Sequence, residues 1–348
     1  MAPISPHIPV SEAGIIDWPA DFGSVRDEFA ALKSTCGLYH LAERARIQLT
    51  GGDRVRWLNG MVTNNVRDLA VGHGIYAFLL NPQGRILGDL TAYNRGESIL
   101  VDTHQSQLEK ILATFEHYII MDDVEMTNIS GQRTTIGLRG PASAAVLNAV
   151  GLDLPNLQPL EIADFSWQQF PVSVVRGESE RYPSYEIWIA PENGSILRKA
   201  LETAGASPVG RDALELYRVA LGLPRYGQDI RERDLPQETE QQRALNFNKG
   251  CYVGQEIVER IRSRGNVHRT FTGFQVHGAP PAPGTKIRTQ DRDVGEITSS
   301  AAVPAPDGNH TIALGYIRRE VGVAGKEVQV SDSTALVTEL PFNALLAT

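Results

Sequence analysis

Cysteine is nearly absent: Cys36 and Cys251 are the two in 348 residues, so the chain can close one disulfide at most. Two cysteines cannot fill an iron–sulfur or structural zinc site, which takes three or four Cys or His ligands, and any cluster ligation by Cys251 would be shared with another molecule. The eight histidines are scattered without zinc-like pairing, so no metal site is expected within the chain. No uninterrupted apolar run is long enough to cross a bilayer. Met1 to Val10 carries three prolines and no basic segment followed by an apolar block. It does not read as a secretory signal, and a cytoplasmic protein is expected. The formal net charge of -8 opposes stable binding to nucleic acid or an anionic membrane surface. Also missing are a dinucleotide glycine fingerprint, a phosphate loop and a Gly-x-Ser-x-Gly elbow.

What is present describes a globular chain of more than one unit, with 42% hydrophobic and 21% charged residues. Trp18, Trp57, Trp167 and Trp188 lie in apolar surroundings and read as core. Ala45 to Leu49 alternates as a strand, and Asp53 is placed to cap a helix through Trp57 and Leu58. Tyr76 to Leu80 and Arg85 to Tyr93 flank Asn81-Pro82-Gln83-Gly84, the pattern of a β-hairpin with Asp89 in its second strand. A strand near Ser98 to Asp102 leads to a helix over Ser106 to Tyr118. Val124 to Asn128, Thr134 to Arg139, Trp167 to Val175 and Tyr185 to Ala190 extend again. Helices are expected after Gly140-Pro141, over Gly194 to Ala204 and over Asp212 to Leu221. Arg231 to Gln242, dense in Glu, Arg and Gln, reads as an exposed connection. After Thr270 five short extended runs without helical period predict a small all-β unit, a barrel.

The segment Asn248-Lys249-Gly250-Cys251-Tyr252-Val253-Gly254-Gln255-Glu256 stands out. Ile257 and Ile261 lie one turn apart and Glu256 precedes Arg260 by four, so a helix is expected from Gly254 to Arg262, with Cys251 near its positive end. Helix N–H groups and the Lys249 ammonium would raise the reactivity of the thiol, and Gly250 and Gly254 would let a ligand approach the backbone. The alternative is a small packing residue. Arg260, Arg262, Arg264, His268 and Arg269 follow as a positive patch, either a solvated face or a cradle for carboxylates, phosphates or a tRNA backbone.

Together the Lys-Gly-Cys-Tyr-Val-Gly-Gln-Glu stretch, Tyr39-His40-Leu41-Ala42-Glu43-Arg44, Thr63-Asn64-Asn65-Val66, Asn81 to Leu90, Arg218 to Pro224 and Tyr226 to Ile230 resemble the YgfZ family of folate-binding proteins, relatives of the glycine-cleavage T-protein, an aminomethyltransferase. The resemblance implies an α+β fold, T-protein-like and multi-domain, with antiparallel sheets and helices around a central channel. It places a folate-binding region of two intertwined subdomains over 1–269 and a C-terminal β-barrel over 270–348. It implies tetrahydrofolate or a one-carbon derivative as cofactor. The implied role is accessory, in iron–sulfur cluster assembly or repair for enzymes such as tRNA methylthiolases, with client or assembly proteins as partners.

By the same resemblance Cys251 and Asp89 carry the chemistry. Tyr76, Asn64, Asp89, Arg218, Tyr226, Lys249, Tyr252 and Gln255 would hold the cofactor. Asp89 would exchange a proton with a folate nitrogen. Two departures from T-proteins bear on this: Gly88 replaces an acid beside Asp89, and counting back from Tyr185-Glu186 puts Tyr182 where their pterin-binding glutamate stands, with Glu180 nearby. Folate-dependent aminomethyl or one-carbon transfer, and folate binding without catalysis, are the alternative functions.

Overall fold

The computed structural model describes residues 18–265, 267–290 and 292–347. Met1 to Val10, read above as lacking a signal, lies outside them. The first half runs α1 (Val25–Ser34), β1 (Gly37–His40), β2 (Arg44–Thr50), α2 (Arg54–Met61), β3 (Gly74–Leu80), β4 (Ile86–Asn94), β5 (Ile99–His104), α3 (Leu108–Tyr118), β6 (Glu125–Asn128), β7 (Thr134–Arg139) and α4 (Ser143–Ala149). It continues through β8 (Ile162–Trp167), β9 (Phe170–Arg176), β10 (Ser184–Ile189), α5 (Pro191–Thr203), β11 (Ser207–Pro208), α6 (Arg211–Leu221) and α7 (Gln255–Arg264). Strands β12 (Arg269–Val276), β13 (Lys286–Thr289), β14 (Arg292–Ala305), β15 (Gly308–Arg318), β16 (Glu327–Val330) and β17 (Ser333–Thr338) follow, then α8 (Asn343–Leu346).

These strands make three sheets: five-stranded β3-β4-β5-β2-β6, six-stranded β11-β1-β7-β10-β9-β8, and a closed six-stranded barrel. Neighbours pair antiparallel except β1 with β11. The expected α+β class with a C-terminal barrel is the observed one. Closing the barrel takes a strand that the sequence reading missed, β17, which pairs with both β12 and β16. Among the described residues no helix is long and apolar enough to cross a membrane.

The first two sheets each bury one face against helices. Ile47, Leu49, Ala77, Leu79, Leu90 and Val101 meet Trp57, Leu58, Ile111 and Phe115 from α2 and α3 in one core. Leu38, Ile136, Leu138, Val174 and Ile187 meet Val146, Leu147, Leu197 and Leu201 from α4 and α5 in another. Between the sheets lies Arg46, 1% exposed, with its guanidinium 3.1 Å from Asp102 and 3.9 Å from the Trp188 ring centre. A charge so buried holds only because it is paired and stacked.

Three local expectations are corrected. Trp167 to Val175 is two strands, not one, because Gln168 and Gln169 adopt positive φ (46° and 74°) and turn the chain back on itself. The expected helix over Gly194 to Ala204 begins earlier, at Pro191, whose fixed φ suits the first helical turn. Arg231 to Gln242 is not an exposed connection: Asp234, Pro236, Glu238 and Thr239 are buried. Arg269 donates to Asp234 at 2.7 Å and to Glu238 at 2.9 Å, which compensates both carboxylates. That also removes Arg269 from the positive patch after α7.

Candidate functional site

The β3–β4 hairpin organises the site. Asn81 Oδ1 accepts from the Gln83 and Arg85 N–H groups, and Gly84 sits at φ 70°, so the Asn-Pro-Gln-Gly turn sets the strand register. Phe78 then pairs with Asp89 and Tyr76 with Thr91, leaving Tyr76 diagonal to Asp89 across the ladder. The Tyr76 hydroxyl donates to Asp89 Oδ2 at 2.7 Å. Burial and the Asp89 charge raise the Tyr76 phenol well above its ordinary pKa, so it stays a donor.

Gln107, buried just before α3, completes the cluster. Its Nε2 donates to Asp89 Oδ1 at 2.7 Å, while its Oε1 accepts from the Asp89 N–H at 2.9 Å. Thr103 donates to the Asp89 carbonyl at 2.8 Å. Asp89 thus lies in a polar clamp. Gly88 leaves room for the clamp, since a Cβ there would stand 3.0 Å from Gln107 Oε1. Nothing in the sequence marked Gln107.

Above the clamp, the Arg243 guanidinium lies 4.4 Å from the Tyr76 ring centre and ion-pairs with Glu178 in the β9–β10 loop. Asn64 Nδ2 ties the two segments together, donating to the carbonyls of Tyr76 at 2.8 Å and Arg243 at 2.9 Å. Counting from Tyr185-Glu186 pointed to Tyr182, but the loop is longer than that count assumes. It closes through the Gly177 N–H to Ser184 carbonyl bond, 2.8 Å, and Glu178 follows directly. The Gly177-Glu178 pair was the available signal. Tyr182 instead bonds Asn343 at 3.1 Å, away from Arg243.

The remaining candidates divide. Tyr226 donates to the Leu87 carbonyl at 2.5 Å on the Asp89 strand. Tyr252 joins Tyr76, Phe78 and Tyr226 in one apolar cluster, so residues far apart in sequence share a wall. Arg218, expected at the cofactor, gives its N–H groups to Glu215, Leu223, Asp229 and Ser299. With five donors and five acceptors it is a strut between α6 and the barrel, and none is left for a ligand. Gln255 is the first residue of α7, with its N–H on the Tyr252 carbonyl.

Cys251 is exposed, and α7 starts at Gln255 with Gly254 as its N-cap, close to the Gly254 start expected from the sequence and three residues after the thiol. Lys249 is 6% exposed, and its ammonium donates to the Asn59 and Val62 backbone carbonyls at the end of α2. Burial pushes it down to about 7, with the Arg67 charge adding to the effect. Gly254 serves packing instead of ligand approach, since a Cβ on it would come within 2.6 Å of the Asn81 carbonyl oxygen.

A mixed fold of two antiparallel-dominated sheets and a barrel, carrying a clamped carboxylate beside an aromatic platform, defines the class. Residues 10–249 match the GCVT N-terminal domain, and the chain belongs to that family. It is 26% identical over 345 residues to an aminomethyltransferase of Rippkaea orientalis, covering 94% of this chain and 91% of that protein. It is 26% identical over 338 residues to a putative chloroplast transferase of Arabidopsis thaliana, covering 96% and 77%. The fold is that of the glycine cleavage system aminomethyltransferase T from Bartonella henselae, with a TM-score of 0.84, 23% identity, and coverage of 93% and 91%.

Proposed function

We propose that the protein is a folate-dependent one-carbon transferase of the aminomethyl type, with Asp89 as its working carboxylate. The family and the relatives named aminomethyltransferase support this over the accessory role in iron–sulfur metabolism that the YgfZ resemblance implied. The single observation that carries it is the Asp89 carboxylate, fixed on one oxygen by Tyr76 and on the other by Gln107. A carboxylate held in one orientation can exchange a proton with a ring nitrogen that comes within hydrogen-bond reach, and the adjacent Tyr76 ring offers that heterocycle a flat surface.

The residues present fit a reduced pterin. The Tyr76 face and the Glu178 carboxylate together already accommodate a flat, nitrogen-rich group, the Arg243 guanidinium. Tyr76 would carry the ring system, Glu178 its amino edge, and Asp89 would hold or take a proton beside it. Tetrahydrofolate, when bound, would supply the nitrogen that carries the one-carbon unit. Asn64, Tyr226 and Tyr252 support that platform. Lys249, Gln255 and Arg218 shape the surrounding chain.

A second reading keeps one observation of its own: Cys251 is exposed, and a surface thiol can reach another molecule. The two are separated with purified protein. Methylene- or methyl-folate should form from a reduced folate and an aminomethyl or N-methyl donor, at a rate that Cys251→Ala leaves unchanged. No turnover, together with loss of cluster-enzyme support in cells carrying Cys251→Ala, would favour the accessory role.

A further inference from the structure

Arg243 stands where a ligand of the proposed site should lie. Its guanidinium covers the Tyr76 ring, 4.4 Å from the centre, and takes the Glu178 carboxylate. The two partners come from different parts of the fold: the Arg243 backbone is tied through Asn64 to the platform strand, while Glu178 sits on the loop of the six-stranded sheet. Their side chains are 35% and 32% exposed, and a pair so open to water is weak and easily parted.

A guanidinium is a flat N–C(N)–N unit that offers parallel N–H donors to a carboxylate and stacks on aromatic faces. The amino edge of a pterin has the same unit, an exocyclic amine and a ring N–H on one trigonal carbon. We infer that Arg243 is an internal stand-in for that edge, occupying the Tyr76–Glu178 subsite until a heterocycle with an amidine edge displaces it. The inference rests on the reduced-folate reading above. On exchange Glu178 trades the Arg243 Nη1 donor for the amino edge of the ring, and Tyr76 trades one flat group for another. A flat ligand without the amidine edge would leave Glu178 unpaired, so the same contact selects for aminopyrimidine-type rings.

An occupant that must leave lowers apparent affinity by the fraction of molecules in which the site is open. Titration calorimetry of the full chain with 5-formyltetrahydrofolate should show Arg243→Ala binding about tenfold more tightly than wild type. Arg243→Gln, which keeps a polar side chain and loses the charge, should shift in the same direction. Adding ethylguanidinium to Arg243→Ala should weaken folate binding again by refilling the slot, and Glu178→Gln should weaken it outright. Wild-type binding that Arg243→Ala and Arg243→Gln leave equal or weaker overturns the inference and leaves the folate reading standing. No binding by wild type or any variant overturns both.

Discussion

The Tyr76 hydroxyl and Asp89 Oδ2 are 2.7 Å apart across adjacent strands, donor to acceptor, with the opposite oxygen of Asp89 held by Gln107. The pair exists because the Asn81 to Gly84 turn sets a register that places the two residues diagonally on one hairpin. Removing the donor while keeping the ring isolates its contribution. Tyr76→Phe should lower unfolding stability by about 1–2 kcal/mol, the cost of leaving a partly buried carboxylate oxygen without its bond. Denaturant unfolding checks this, and an unchanged midpoint would mean that the bond contributes nothing to the folded state.

The thiol-bearing segment is fixed by packing against the hairpin turn. Gly254 has φ 82° and no room for a Cβ beside the Asn81 carbonyl, whereas a Cβ on Gly250 would meet nothing within 4 Å. Gly254→Ala should therefore destabilise the protein by about 2–3 kcal/mol, combining left-handed strain with the clash. Gly250→Ala should be close to neutral. Thermal melts of the two variants compare them directly, and equal shifts would contradict this account of the segment.

Lys249 gives a pH dependence of definite sign. Its folded pKa is lowered from 10.5 to about 7, so between those values the unfolded chain holds a proton that the folded chain has released. Stability should rise with pH across that window, because the cost of burying the ammonium is relieved as it deprotonates. The slope of unfolding free energy against pH from 7 to 10 should be more positive for wild type than for Lys249→Met. Parallel slopes would show that the ammonium is not penalised by its burial.

Much of this architecture was legible in the chain, for local reasons. The hairpin was marked by its Asn-Pro-Gln-Gly turn and apolar flanks, and the barrel by short extended runs between Gly- and Pro-bearing turns. What was not legible depends on partners distant in sequence or on residues in unusual backbone states. The turn between β8 and β9 uses two left-handed glutamines, where glycine or asparagine is the recognisable signal. The polar run from Arg231 is buried only because Arg269 arrives from the first barrel strand. Gln107 reaches Asp89 across 18 residues, and Arg243 meets Glu178 from another sheet. Such contacts follow from topology, which no local pattern encodes.

In the proposed reaction Asp89 does chemistry and is more than part of the hairpin's hydrogen bonding. Asp89→Asn keeps the size and can still accept from Tyr76, at the loss of the acceptor for Gln107 Nε2, but it cannot take up a proton as a carboxylate does. The most direct measurement is single-turnover transfer of a one-carbon unit to or from a reduced folate, with folate affinity measured on the same samples. Transfer should be about 10²–10⁴-fold slower in Asp89→Asn with affinity within a few-fold of wild type. Transfer at the wild-type rate in a folded Asp89→Asn protein would contradict this role for Asp89.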